Sequence, residues 1–312
     1  MRKHLARELG LLLVLVLVAA LLALLAPGFF APGNLRNLAL DNLPLLLAAT
    51  GMTLVIVAGQ IDVSIGAQFA AAGVVAGALA KLGLPMALVL PLVLGLGALF
   101  GACQGALVAR GVPAIVVTLA TLAILRGTLR WSTGGRWIAE LPAGFQWLGL
   151  GQARGQLAFA CAALALVALT AAALRWLHLG RAVYAVGCDA DAAHLAGIRT
   201  ARVTCAVFAA MGAFAAAAAA LSAARYPAIE IEAGAGLELQ AIACVVLGGA
   251  SIRGGRGTLL GTALGVCLLG TLGTALVFLG VGAAWERAIQ GALILAAVAP
   301  EAWSLGRSVR HG

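Results

Sequence analysis

The sequence predicts an all-α polytopic membrane protein with about ten transmembrane helices and both termini in the cytoplasm. Three observations carry this reading. Of the 312 residues, 63% are hydrophobic and 10% charged, with a mean hydropathy of +1.08; soluble domains carry about 25% charged residues. Leu/Ala/Val runs recur from end to end, long enough to cross a ~30 Å hydrocarbon core as ~20 residues of helix. The basic residues, finally, fall unevenly on the two sides of those runs. Short alternating segments of the kind that build outer-membrane barrels are absent.

The runs divide into spans at 9–25, 43–58, 65–80, 86–108, 113–130, 157–174, 203–223, 237–250, 258–279 and 284–300. The first follows "MRKHLARE" and ends in "APGFFAPGNL", a weak cleavage signal with many spans behind it, so it reads as a retained span rather than a secretion signal. With the N-terminus inside, 12 of the Lys and Arg residues lie in cytoplasmic segments, 7 lie outside and Arg126 falls within a span. Basic residues concentrate on the cytoplasmic side of membrane proteins, which sets this orientation. The net charge of +9 is then a matter of topology and anionic lipid rather than of nucleic acid.

Two segments between spans are long. The external one, "WSTGGRWIAELPAGFQWLGLGQARGQ", has three tryptophans and reads as an aromatic belt at the membrane surface, or as a docking surface for an external partner. The internal one, 176–202, predicts a short helix. Asp189 or Asp191 is placed to cap its N-terminus, Ala192, Ala193, Leu195 and Ala196 form a compact body, and Gly197 stands where a helix stops. Such a helix rests on the bilayer or lies in a groove of a partner.

Catalytic constellations are missing. Lys3 and Lys81 are the two lysines, and neither closes a G-x-x-x-x-G-K-[ST] phosphate loop. No G-x-S-x-G or HExxH motif appears. "GASIRGGRG" has no strand before it and reads as a tight basic cytoplasmic turn. The six cysteines form no CxxC pair and read as small buried apolar residues. The four histidines have no partner at metal-ligand spacing, so no metal or cofactor is expected in this chain. Any uphill transport must draw on a separate subunit or an ion gradient.

"AVYAVGCDADAAHLAGI", which follows Arg181, resembles the cytoplasmic coupling segment of the permease subunits of bacterial ribose-type sugar ABC importers. "GMTLVIVAGQIDVSIGA", "VPAIVVTLATLAILRG" and "LQAIACVVLGGASIRGGRGT" match in the same order, so the resemblance runs from about Pro32 to Pro300. "STGGRWIAELP" is closest to members that carry rhamnose or autoinducer-2. The resemblance implies a single permease domain over 1–312 in the inner membrane. It also implies a second permease copy or paralogue, ATP-binding subunits that hold ATP and Mg, and a periplasmic substrate-binding protein. Carried over position by position, Asp189, Ala192, Ala193 and Gly197 belong to the segment that docks on the ATPase. Gln60 departs from the family's usual Gly, and Cys188 replaces a small residue.

Polar residues inside an apolar chain are the remaining clue, because an ionised side chain at a helix centre costs about 2.5–3.5 kcal/mol on insertion scales. Gln60, Asp62, Ser64, Gln68, Thr118, Thr121, Glu238 and Gln240 are candidates to line a passage or brace its turns, with Gln104 beside them. Arg126 reads as snorkelling to the outer interface. Within "VAGQIDVSIGAQFA", Gly59 and Gly66 permit a broken backbone. Asp62 with Ser64 can accept bonds from the amides so freed. The alternative to an ATP-driven importer is an ion-coupled transporter that titrates Asp62 and Glu238.

Overall fold

The computed structural model describes residues 2–280 except Ala143, together with Trp285, Ala288, Ile289, Gly291 and Ala292; side chains are described from Glu8 onward, Leu148 excepted. Eleven α-helices follow one another through the stretch to 280. They are α1 (Arg2–Leu25), α2 (Pro32–Val57), α3 (Ile65–Lys81), α4 (Met86–Val108), α5 (Ala114–Thr133), α6 (Gln152–Trp176), α7 (His178–Cys188), α8 (Ala190–Leu195), α9 (Thr200–Ala223), α10 (Leu237–Leu247) and α11 (Leu259–Phe278). Seven of them, α1, α2, α4, α5, α6, α9 and α11, are long and apolar enough to cross a membrane. The predicted tenth span, 284–300, lies outside the described residues apart from isolated positions.

Two of the predicted spans are shorter helices than the other seven. α3 has 17 residues and α10 has 11. At 1.5 Å per residue α10 rises about 16 Å, half the hydrocarbon core. The predicted span at 237–250 is therefore a half-span. It ends at Leu247, where Gly248 and Gly249 lead into the turn to Thr258, and Gly249 has a φ of +89°. The second span begins earlier than predicted, at Pro32 rather than 43. "PGNLRNLALDN" is polar enough to read as loop, yet it starts with a proline in the first turn, where its missing N–H is harmless, and its Arg36 is exposed.

α2 and α9 form the centre. Leu47, Met52, Val55 and Ile56 of α2 and Phe208 and Met211 of α9 are almost wholly buried. α4 and α9 make the most extensive helix pair, and small residues make that possible. A Cβ on Gly101 would strike the Phe208 carbonyl, and one on Gly212 would strike the carbonyl of Gly97. Close backbone approach through glycine is the usual way to pack helices where lipid offers no hydrophobic drive. Outward faces of α4, α5 and α6 carry exposed Leu88, Leu92, Leu99, Ile124, Leu164 and Leu169, as suits contact with acyl chains. Cys103, Cys161 and Cys267 are exposed on α4, α6 and α11 and only Cys244 is buried, so most cysteines are not the core residues the sequence implied.

Three backbones converge at one end of the bundle. Gly255 N–H donates to the Val57 carbonyl at 2.8 Å, and Tyr184 Oη donates to the Gly257 carbonyl at 2.7 Å. Gly187, at the end of α7, sits so close to Val57 and Gly255 that a Cβ there would collide with both. The glycine-rich 249–257 stretch is a tight turn, as expected, with Gly254 and Gly255 at φ of +91° and +69°. Glu8 of α1 reaches the same end, accepting from Thr258 Oγ1 at 2.7 Å. The N-terminal helix therefore starts on the face that carries α7 and α8.

The long segment after α5 folds over the opposite end. Trp131 and Trp137 stand exposed, while Trp147 packs against Phe159 at 5.7 Å and Phe145 is buried. Ile138 exchanges both backbone hydrogen bonds with Ile229, and Lys81 Nζ donates to the Ala139 carbonyl at 2.9 Å. The segment thus leaves two tryptophans on the surface and anchors itself at the third.

Candidate functional site

The chain is broken at two places beside the core: 58–64, between α2 and α3, and 224–236, between α9 and α10. Irregular backbone inside a membrane protein survives only where protein or water covers it; the first break starts under Gly187 and the 249–257 turn, and the second lies against the first turn of α3. Gly66, in the first turn of α3, lies against Gly234 and Glu238; a Cβ there would collide with both.

The first break opens with a Schellman stop. Gly59 adopts φ +78°, its N–H donates to the Ile56 carbonyl at 2.9 Å, and Gln60 N–H donates to the Val55 carbonyl at 3.0 Å. Asp62 and Ser64 then disappear from the surface entirely. Asp62 Oδ1 accepts from Ser64 N–H at 2.8 Å and from Ser64 Oγ at 2.6 Å. Its Oδ2 accepts from Gln68 Nε2 at 3.1 Å. Gln104 of α4 completes the cluster, donating through Nε2 to Ser64 Oγ at 2.7 Å and accepting from Gln68 Nε2 at 3.2 Å. A carboxylate with both oxygens engaged is suited to bracing a turn. Charge-assisted bonds of this kind are the strong ones in a protein interior.

The second break is held from α5. Arg126 Nη1 donates to the Ile231 carbonyl at 3.0 Å and Nη2 to the Ala233 carbonyl at 3.3 Å. One turn along, Arg130 donates through Nε and Nη2 to Glu232 Oε1 at 3.0 and 2.8 Å. Arg126 therefore does not snorkel; it turns inward and fixes the loop. The hydrogen-bonded Arg130 guanidinium holds the Glu232 carboxyl below its ordinary value. With a depressed folded-state pKa, the pair stays intact as pH falls through the ordinary Glu value of about 4.3 and is lost only at more acidic pH. Arg126→Gln is expected to raise amide exchange across 230–235 at least about tenfold, equivalent to about 1.4 kcal/mol, because two charged hydrogen bonds are lost. Hydrogen–deuterium exchange of the purified chain checks this, and unchanged protection would contradict it.

Glu238 sits in the first turn of α10. Its Oε1 accepts from Gly236 N–H at 3.2 Å, while Oε2 is buried beside Gly66 without a hydrogen-bond partner. The carboxylate thus lies near the N-termini of α10 and α3, where helix dipoles favour negative charge. No hydrogen bond among the described residues joins it to Asp62.

Other predicted residues are placed apart from this cluster. Thr118 and Thr121 turn their hydroxyls onto their own helix, toward the Ile115 and Val117 carbonyls. Gln60 is half-exposed at the turn, and Gln240 lines cavities between α2 and α10. In α8, Asp189 is the cap: its Oδ1 accepts from the Asp191 and Ala192 amides at 3.0 and 2.9 Å. Gly197 ends the segment at φ +85°. Asp189, Ala192 and Gly197 are exposed, whereas Ala193 is buried against its own chain, out of a partner's reach. Leu195, read from the sequence as part of the compact helix body, stands 88% exposed. Among the described residues no group of three His, Cys, Asp or Glu is placed to hold a metal ion.

Comparison with known proteins gives this arrangement its context. Residues 34–298 match the family described as branched-chain amino acid transport system / permease component. The chain is 35% identical over 293 residues to Ribose import permease protein RbsC of Escherichia coli K12, covering 92% of this chain and 91% of that protein. It is 33% identical over 294 residues to RbsC of Haemophilus influenzae, covering 92% and 90%. It is 38% identical over 293 residues to Autoinducer 2 import system permease protein LsrC of Shigella flexneri, covering 93% and 85%. No solved structure matches the chain. With most of its length matched on both counts, the chain belongs to the branched-chain amino acid transport system / permease component family.

Proposed function

We propose that this chain is the membrane-spanning permease of an ATP-binding-cassette importer that carries a monosaccharide or sugar-like molecule of the ribose, rhamnose or autoinducer-2 type. The observation that carries the reading is 35–38% identity, sustained over more than nine-tenths of the chain, to import permeases for ribose and autoinducer-2. The family description names branched-chain amino acids; the full-length relatives favour the sugar.

In this reading the whole chain is one permease domain in the inner membrane, with about ten spans and both termini cytoplasmic. The start of α1 on the α7–α8 face supports that orientation. A second permease copy or paralogue completes the passage, ATP and Mg bind in separate subunits, and a periplasmic protein delivers the sugar. Nothing in this chain needs to be catalytic.

The convergence of α7, the 249–257 turn and the end of α2 supplies the mechanical link. α8 is capped at Asp189 and stopped at Gly197, so it moves as a unit with α7. Gly187 presses α7 onto the Val57 carbonyl, two residues before Gly59 begins the Asp62 turn. A push on α8 from an ATPase would thus reach the α2–α3 break through backbone contacts that leave no slack. Alternating access follows if that break and the 224–236 loop move in response. The ion-coupled alternative needs a carboxylate that changes charge during transport, and the hydrogen bonds on both oxygens of Asp62 favour a fixed one.

Asp189→Lys removes the cap and reverses a charge on the exposed segment, and Gly197→Val strains a left-handed position. Each is expected to reduce co-purification with the ATP-binding subunit at least about fivefold, with membrane insertion unchanged. Loss of a cap alone costs about 1 kcal/mol, which fits that scale. Wild-type recovery of the complex with both variants would remove α8 from the docking role.

A further inference from the structure

A cavity of about 300 Å³ opens between α2, the end of α9 and the start of α10. It is separate from the Asp62 cluster, and its lining combines two chemistries. Asp41, Ser222, Arg225, Tyr226 and Gln240 contribute polar groups, and Trp147 contributes an aromatic wall backed by Phe159. Asp41 and Gln240 also line a neighbouring cavity of about 430 Å³ between α2, α10 and α11. The two spaces therefore adjoin across the same pair of side chains.

The groups around Asp41 are poised rather than exhausted. Arg225 Nη1 pairs with Asp41 Oδ1 at 2.9 Å. Tyr226 Oη stands 3.5 Å from the same Asp41 oxygen, at the outer limit of a hydrogen bond. A guanidinium carries five N–H donors and a carboxylate two acceptor oxygens, so the one contact between them leaves further donors and acceptors for a ligand. The two charges neutralise each other, so the cavity offers donors and acceptors without net charge. Small-molecule sites have this make-up: a volume of about 300–1,000 Å³, apolar walls and a few convergent polar groups.

We infer that this cavity is a binding station for a neutral polyhydroxylated molecule of pentose or hexose size within a single copy of the chain. Ring hydroxyls would meet Arg225, Asp41, Tyr226 and Gln240, and the C–H face of the sugar would lie on Trp147. The inference rests on the sugar-importer reading for the identity of the ligand. The station lies next to the 224–236 break that Arg126 holds in place, so a movement of that loop would reshape it. A zwitterionic amino acid would have to separate Arg225 from Asp41, which the 2.9 Å contact opposes.

The test uses the full chain in lipid nanodiscs and saturation-transfer NMR with D-ribose, L-rhamnose and L-leucine as probes. The expected result is a signal from at least one sugar, none from leucine, and at least a fivefold loss of the sugar signal in Gln240→Leu and in Ser222→Phe, which fills the cavity. ATP-driven uptake by the assembled importer should fall at least tenfold in the same variants, with co-purification of the ATPase unchanged. If Ser222→Phe does not assemble, Tyr226→Phe and Gln240→Leu decide the matter. Absence of any sugar signal from the wild-type chain, a leucine signal in its place, or wild-type binding and uptake in the variants overturns the station. The importer reading fails separately, if the wild-type assembly imports no sugar at all.

Discussion

Gly212→Val is expected to prevent the chain from accumulating as a folded membrane protein. Gly97 and Gly212 face each other backbone to backbone across the α4–α9 contact. A Cβ on either would strike the carbonyl of the other. Inserting carbon into a packed core typically costs about 1–3 kcal/mol through side-chain adjustment. Here the obstacle is main chain on both sides, so the cost should reach about 3 kcal/mol or more, and the helices must separate. Separation is damaging because α4 and α9 also position Gln104 and the 224–236 break. The control lies on the same helix: Gly95 is exposed with open space around its Cα. Gly95→Ala should be neutral or stabilising by about 0.5–1 kcal/mol, since alanine is the better helix former. Thermal unfolding of the purified chain and its yield from membranes distinguish the two. Equal behaviour of the two variants would remove the close approach from the account.

Asp62→Leu should be comparably severe, and Asp62→Asn much milder. Leucine leaves Ser64 N–H and Ser64 Oγ without their acceptor in a site that water does not reach, and takes one of three acceptors from Gln68 Nε2. Each hydrogen bond to a charged group contributes about 1.5–3 kcal/mol, so a loss of at least about 3 kcal/mol is expected. Asparagine keeps an oxygen for both Ser64 donors and sets an amide against Gln68. Gln68 Oε1 is buried without a partner, so rotating its amide offers that oxygen to the new N–H₂, at the expense of its bond to Gln104. Transport by Asp62→Asn should therefore remain within about fivefold of wild type, whereas Asp62→Leu should lose more than tenfold together with thermal stability. An Asp62→Asn chain that folds normally and transports nothing would identify a titrating site instead.

What was legible in the sequence was chiefly local. The Asx-type turn at Asp62, the cap at Asp189 and the stop at Gly197 each depend on residues within six positions of one another, so spacing alone exposed them. Seven of the predicted spans coincide with helices long and apolar enough to cross a membrane, because apolar run length exposes them. The first turns of α2 are helical despite Asn34, Arg36 and Asp41, because Asn34 bonds the Phe29 carbonyl and Asp41 pairs with Arg225. The half-length of α10 escaped notice because "LELQAIACVVLGG" is as apolar as a full span; the shortfall shows only in its partners.

Contacts across the chain were not legible. Arg126 is separated by about a hundred residues from the carbonyls it holds, and nothing near "TLAILRGTL" announces them. Gln104 joins Ser64 from another helix. Ala193 looked like part of a docking surface until the packing of α8 turned it inward and left Leu195 outside. The Arg225–Asp41 pair escaped for the same reason: α2 and the end of α9 meet only in the folded bundle.

The central claim is that this chain is a passage driven from outside itself. Proteoliposomes test it most directly, with the chain alone compared with the chain assembled with its ATP-binding subunit and binding protein. Radiolabelled ribose, rhamnose or autoinducer-2 should accumulate only in the assembly and only with ATP at the nucleotide-binding face. Proton or sodium gradients should drive none into vesicles holding the chain alone. Gradient-driven uptake without the ATPase would contradict the account.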